Sequence, residues 1–358
     1  MDGLEQLGKR LAELDAIPGV SGDEEQVAAY MQKELRPYVD DFYEDALGNQ
    51  VFVKRGSNSE QKIMLCAHMD EIGFVVNHID EKGFVSFLPV GYHDSRMVMN
   101  QVLAIHTDQG QILGITGSKP AHLVSEEESK LAIPMEELYL DVGTTNREAT
   151  LELGVQVGDY ITFHRRGQFL NGSTMYTGKS VDNRAGCTVM IEVMKRLAEK
   201  SIGPTVYAVA SVQEEVGLRG AGTAAYAIQP DVALALDVAL SGGTPKMDEK
   251  ISPIAIGKGP VILFYEWEPS TGAGNNVPKR LTRKLVEAAE RYSIPYQRGV
   301  GLGGSTDAYT MSISGRGAVT GCVSVPSRYI HSATGMVQLE DIEYTIQLVE
   351  SFIEGYQK

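Results

Sequence analysis

The chain has 358 residues, enough for two domains, and its 43% hydrophobic and 22% charged content is that of an ordinary folded protein, which excludes disordered, collagen-like and repeat architectures. Acidic residues outnumber basic ones by 47 to 32, and a formal net charge of −15 excludes nucleic acid and anionic membrane surfaces as expected partners. The start MDGLEQLGKRLAELDAI lacks a basic stretch followed by an apolar core, and no window holds the ~18–20 apolar residues of a membrane span, so a cytoplasmic protein without membrane contact is expected.

The first elements are helical. Leu4, Leu7, Leu11 and Leu14 recur at three- and four-residue spacing, and a second helix has Val27, Tyr30, Met31 and Leu35 as its buried stripe. Ser21-Gly22-Asp23-Glu24 before it reads as a capping box, with Ser21 accepting from a first-turn amide and Glu24 reaching back. KIMLCAHM, residues 62–69, is a short apolar run that fits a strand covered on both faces.

From about Gly73 to Gln168 the texture changes to short alternating segments (GFVVNHI, GFVSFLPV, VLAIHT, QILGITG, YITFHRR) separated by Asp-Gln-Gly and Glu-Lys-Gly turns, which predicts a small all-β barrel or sandwich. After Asp182 an amphipathic helix, AGCTVMIEVMKRLAEK, should turn Val189, Val193, Met194 and Leu197 inward and Lys195, Arg196, Glu199 and Lys200 outward. Strands TVYAVASV, VALALDV, VILFY and AVTGCVSV then alternate with helices KRLTRKLVEAAERY and LEDIEYTIQLVESFIEGY. The expected fold is α/β, a doubly wound and mostly parallel sheet, residues 1–70 and 168–358, interrupted by a β-barrel domain at 71–167.

Three predicted strands end in side chains that can bind a metal: KIMLCA in His68 and Asp70, TVYAVASVQ in Glu214 and Glu215, and VALAL in Asp237. In an open parallel sheet, residues at the carboxyl ends of strands converge on one crevice. His331 follows the strand AVTGCVSV, and Asp182 stands just before a helix that begins near Arg184. Singly, each has a bland alternative: a core histidine, a helix cap, a turn aspartate, a solvated glutamate pair. Together, two histidines and three carboxylates form the mixed N and O donor set suited to divalent zinc, cobalt or manganese. If Asp182 bridges two ions, each has three protein donors and keeps a position open for water.

His78, His93, His106, His122 and His164 are better read as structural, and Cys66, Cys187 and Cys322, set in apolar runs, as buried free thiols. The glycine-rich segments TGAGNNVP, RGVGLGGSTDA and LRGAGTAA match no phosphate-binding pattern and read as tight turns lining the cleft.

The segments AHMDEIG, KSVDNRAG, SVQEEVGLRGA, ALDV, GGSTDA and RYIHS, in this order and spacing, resemble the M42 family of metallo-aminopeptidases, which includes glutamyl and tetrahedral aminopeptidases. The resemblance runs over essentially the whole chain. It implies one metal held by His68, Asp182 and Asp237 and a second by Asp182, Glu215 and His331, with Glu214 as general base and Asp70 orienting the His68 ring. It further implies hydrolysis of N-terminal residues from short peptides and a homo-oligomer, a dodecamer or a dimer, with contacts through the β insert. A two-metal deacylase or a catalytically silent peptide-binding scaffold of the same fold is the alternative. Arg219, Arg298 and Arg328 lie near the motifs and are candidates for binding an acidic first side chain.

Overall fold

Successive residues of the strand Asn58–His68 serve two different cores. Ile63, Leu65 and Ala67 pack with the helices Gly3–Ala16, Glu25–Leu35 and Val181–Ala198, whereas Met64 and Cys66 pack with Arg219–Ile228 and Asp307–Ile313. A strand apolar on both faces belongs inside a sheet with helices on each side. The computed structural model, which describes residues 3–245 and 247–356, has this arrangement.

Among the described residues nine strands form the main sheet, in the order Asp41–Glu44, Gln50–Lys54, Pro204–Ser211, Asn58–His68, Val232–Leu240, Val319–Ser327, Val261–Glu268 and Ala273–Asn276, with Gln297–Leu302 beside Val261–Glu268. The four central strands, from Pro204–Ser211 to Val319–Ser327, run parallel. Antiparallel pairings flank them on both sides. Parallel register sets Ser211 beside His68 and Asp237 beside Ser324, so the carboxyl ends of the central strands lie at one rim.

Immediately after His68 the chain enters a closed antiparallel barrel of six strands, Gly73–Ile79, Val85–Val90, Tyr139–Asp141, Gly110–Thr116, Val102–Thr107 and Tyr160–Phe163 in spatial order. Phe74, Phe87, Leu103, Ile105, Leu140, Ile161 and Phe163 fill it. Closure pairs the strand edges that an open sheet of such short strands would expose.

Three local expectations change. The helix Val181–Ala198 buries Val189, Val193, Met194 and Leu197, and Glu199 and Lys200 after it are exposed, as expected, but Lys195 and Arg196 are partly buried in ion pairs with Glu34 and Glu343, at 2.7 Å each, on neighbouring helices. The glycine-rich segments are turns only in part, at Thr271-Gly272 and around Gly303. Ala273–Asn276 and Gln297–Leu302 are strands and Arg219–Ile228 is a helix. Gly220 and Gly274 serve close packing, since a Cβ on Gly220 would stand 2.3 Å from Asn49 Oδ1 and one on Gly274 would stand 2.3 Å from the Glu266 carbonyl. The capping box does not form either: the helix Glu25–Leu35 starts without a side-chain cap.

Cys66, Cys187 and Cys322 are buried free thiols. Among the described residues no helix is long and apolar enough to cross a membrane.

Candidate metal centre

His68 closes its strand with a side chain only 2% exposed, and its Nε2 points at a group of carboxylates from three other segments. Asp182 Oδ1 lies 3.3 Å away, Asp237 Oδ1 3.7 Å and Glu214 Oε2 4.0 Å. On the far side of Asp182, His331 Nε2 stands 3.5 Å from Asp182 Oδ2 and 3.5 Å from Glu215 Oε2. Donor atoms of His68, Glu214 and Asp237, and likewise of His68, Asp182 and Glu215, lie within 4.8 Å of one another. All five residues expected to hold metal therefore meet at one rim of the sheet, together with Glu214 and Asp70.

Backbone geometry explains why these side chains point inward. Asp182 and Asn183 have non-helical dihedrals at the start of the Val181–Ala198 helix. Asn183 Nδ2 donates to the Leu236 carbonyl at 2.8 Å and its Oδ1 accepts from the Gly186 amide at 2.9 Å, tying this turn to the strand that carries Asp237. His331 has a φ of +57°, in the left-handed region, and its Nδ1 faces the Tyr92 carbonyl at 2.9 Å. That bond leaves Nε2 free to act as a ligand. His68 Nδ1 is similarly engaged by Asp70, through the backbone carbonyl at 3.1 Å and Oδ1 at 3.4 Å.

Asp70, fully buried, has a second task that its position in AHMDE does not reveal. Its Oδ1 and Oδ2 accept the backbone amides of Glu214 and Glu215, each at 3.0 Å, and Oδ2 also accepts from Ser21 Oγ at 2.6 Å. Ser21 and Glu24, a helix cap by sequence pattern, instead reach the site, Glu24 Oε1 accepting from the Gly22 amide at 2.9 Å and the Gln213 amide at 3.0 Å.

Arg184 is a further structural residue that sequence reasoning missed. Its buried guanidinium donates to the Leu14, Ile17 and Met69 carbonyls and lies 3.6 Å from Glu71, which is also paired with buried Lys179. It anchors the loop after His68. The available signal was an arginine inside an otherwise apolar run, two residues after a candidate ligand.

The electrostatics are those of crowded negative charge. Burial opposes protonation of His68, but Glu214, Asp182, Asp237 and Asp70 outweigh it and hold the imidazolium well above its ordinary pKa. For His331 burial likewise acts downward, and Glu215 and Asp182 carry it up to about 10. Burial, with repulsion between the carboxylates, pushes Glu214 well above its ordinary value and Glu215 to about 8, and raises Asp237. Asp182 goes the other way: burial would raise it, yet the two histidines hold it below its ordinary value.

Four carboxylates compressed around two imidazoles call for cations. The N and O donors present fit divalent metal ions, whose binding would replace the histidine protons and relieve the repulsion.

Of the three arginine candidates, Arg219 donates to Gln213 Oε1 at 3.0 Å and Arg298 lies over the Phe264 ring at 4.2 Å. Arg328 Nε is buried without a hydrogen-bond partner among the described residues. His93 is structural: its Nε2 contacts the Gly73 and Val90 carbonyls at 2.8 and 3.1 Å, and its ring stacks on Phe74.

Comparison with known proteins gives the family. Residues 48–348 match the model of the M42 glutamyl aminopeptidase family. The lysyl aminopeptidase of Pyrococcus furiosus is 34% identical over 344 residues, 94% of each chain. The structure of aminopeptidase APDkam598 from the archaeon Desulfurococcus kamchatkensis superposes with a TM-score of 0.93 at 35% identity, covering 99% of this chain and 96% of that one. The TET1 peptidase of Pyrococcus horikoshii, described as able to assemble into a tetrahedron or a large octahedral shell, does so with 0.86 at 32% identity, covering 98% and 100%. The chain belongs to the M42 glutamyl aminopeptidase family.

Proposed function

We propose that the protein is a two-metal aminopeptidase that removes N-terminal residues from short peptides. The observation that carries this reading is Asp182, whose two oxygens face two different imidazoles, 3.3 Å from His68 and 3.5 Å from His331. His68, Asp182 and Asp237 would hold one divalent ion and Asp182, Glu215 and His331 the other, zinc, cobalt or manganese all suiting these donors. When bound, such a pair lowers the pKa of a shared water and polarises the scissile carbonyl.

Glu214 is the general base in this scheme. It removes a proton from the water whose oxygen adds to the carbonyl carbon, and it returns that proton to the amine nitrogen as the C–N bond breaks. Asp70 keeps Glu214 and Glu215 in place through their amides and leaves His68 Nε2 directed at the centre.

Residues 1–70 and 168–358 form the metallopeptidase domain in this reading, and the barrel domain, 71–167, makes the contacts of a homo-oligomer, a dodecamer or a dimer, and gates access to the site. Large apolar side chains exposed on the barrel, including Leu88, Leu113 and Ile115, support that role. Light scattering of the purified protein tests it, a monomer being the contrary result. The activity is tested with aminoacyl p-nitroanilides: release that disappears with chelator and returns with one of the three ions is expected, and a folded, metal-loaded protein without release would point to a deacylase or a silent scaffold.

A further inference from the structure

Three successive backbone amides of the turn that carries Glu214 and Glu215 donate to buried carboxylates. Asp70 takes the second and third, and Glu24 Oε1 takes the first, that of Gln213, at 3.0 Å. Gln213 has a φ of +56°, a left-handed conformation that a residue with a Cβ keeps only where its surroundings fix it. The other side of the turn is closed by Arg219 N donating to the Gln213 carbonyl at 3.2 Å and Gly220 N donating to the Val212 carbonyl at 3.0 Å.

Glu24 is 6% exposed, and the same Oε1 accepts the Gly22 amide at 2.9 Å, so one oxygen joins the segment before the Glu25–Leu35 helix to the start of the turn. Ser21, three residues earlier, is bonded to the Asp70 oxygen that holds Glu215. Glu24 thus does for the glutamate turn what its pattern suggests for its own helix, satisfying a free amide, while Ser21 braces the Asp70 carboxylate that takes the next two.

We propose that Glu24 is a positioning residue for this turn, fixing through the Gln213 amide the direction in which the Glu214 carboxylate leaves the backbone. The proposal rests on the reading of Glu214 as general base. Glu24 acts on Glu214 through the backbone, and what it supplies is an acceptor at one place. A glutamine side chain at this position retains a carbonyl oxygen of the same reach; an aspartate side chain keeps the charge but is one methylene short.

The test compares Glu24→Gln, Glu24→Asp and Glu24→Ala in the full-length, metal-loaded protein, measuring kcat, KM, bound metal and folded fraction. Glu24→Gln is expected to keep kcat within about threefold, whereas Glu24→Asp and Glu24→Ala lose about 100-fold in kcat, the scale of a misplacement near 1 Å, with KM little changed and metal still bound. If Glu24→Ala does not fold, the glutamine and aspartate variants decide. The proposal is overturned if Glu24→Asp matches the wild type, if Glu24→Gln falls as far as Glu24→Asp, or if Glu24→Ala keeps full kcat per metal-loaded site. An inactive wild type, or an active Glu214→Gln, would instead remove the underlying reading; an active wild type with inactive Glu214→Gln and unaffected Glu24 variants removes only this inference.

Discussion

Asp182 turns its Oδ2 to His331 Nε2 at 3.5 Å while its Oδ1 faces His68 Nε2 at 3.3 Å. In the proposed two-ion centre this carboxylate, placed between two imidazoles, would be shared by both ions. Asp182→Asn should therefore weaken both ions, whereas His331→Ala should weaken one and leave the His68 half occupied. Metal content after gel filtration, measured by mass spectrometry, checks this, and a full single complement in Asp182→Asn would separate the two halves.

Glu214→Gln keeps the shape of the side chain and removes its basicity. Metal content should be unchanged while kcat falls by about 100- to 10,000-fold, the usual contribution of a general base. Stopped assays on metal-loaded protein check it. Loss of an ion in this variant would make Glu214 a ligand, a role its 4.0 Å distance from His68 Nε2 makes worth measuring.

Arg184, with no exposed surface, satisfies three carbonyls and offsets Glu71. Arg184→Ala removes a donor from each of those carbonyls, Ile17 keeping Lys179 and Leu14 the Ile17 amide, and leaves Glu71 with Lys179 as its remaining cation, so unfolding should become easier by about 3–5 kcal/mol. Denaturant titration checks the prediction; an unchanged midpoint would show that water substitutes for the guanidinium.

Away from the centre, Glu34 joins Arg10 and Lys195, linking the two N-terminal helices to the Val181–Ala198 helix. Burial would raise the Glu34 pKa, but Lys195 and Arg10 prevail and hold it below its ordinary 4.5. A carboxyl lowered on folding adds stability that is fully present above its unfolded value and disappears as pH falls through the folded one. Glu34→Gln should therefore be less stable than wild type at neutral pH, with the difference shrinking below about 4.5 and vanishing at lower pH. Thermal melts of both proteins across this range measure it.

Of the candidate metal donors, His68, Glu215 and Asp237 are legible in the sequence because each sits at or just past the end of a strong strand pattern. KIMLCA, VALAL and TVYAVASV are unambiguous buried strands, and a histidine or carboxylate at the end of such a run has few roles. The barrel is legible for the same reason, its alternation being interrupted by clear turns. Residues whose partners are distant in sequence are not. Glu24 fits a local capping pattern, and nothing nearby indicates that its oxygen faces Gln213, 189 positions away. Arg184 looks like one more charge on a helix, and its donors find carbonyls in Leu14, Ile17 and Met69. Gly220 and Gly274 look like turn residues because the close approach of Asn49 and of the Glu266 carbonyl arises only in the folded chain.

Hydrolysis of a panel of aminoacyl p-nitroanilides by chelator-treated protein, before and after adding zinc, cobalt or manganese, decides whether the centre is a metal-dependent aminopeptidase site. No release is expected without metal, and restored release from at least one class of first residue is expected when two ions per chain are bound. Full activity in the metal-free protein, or none in a folded protein carrying both ions, would contradict that reading.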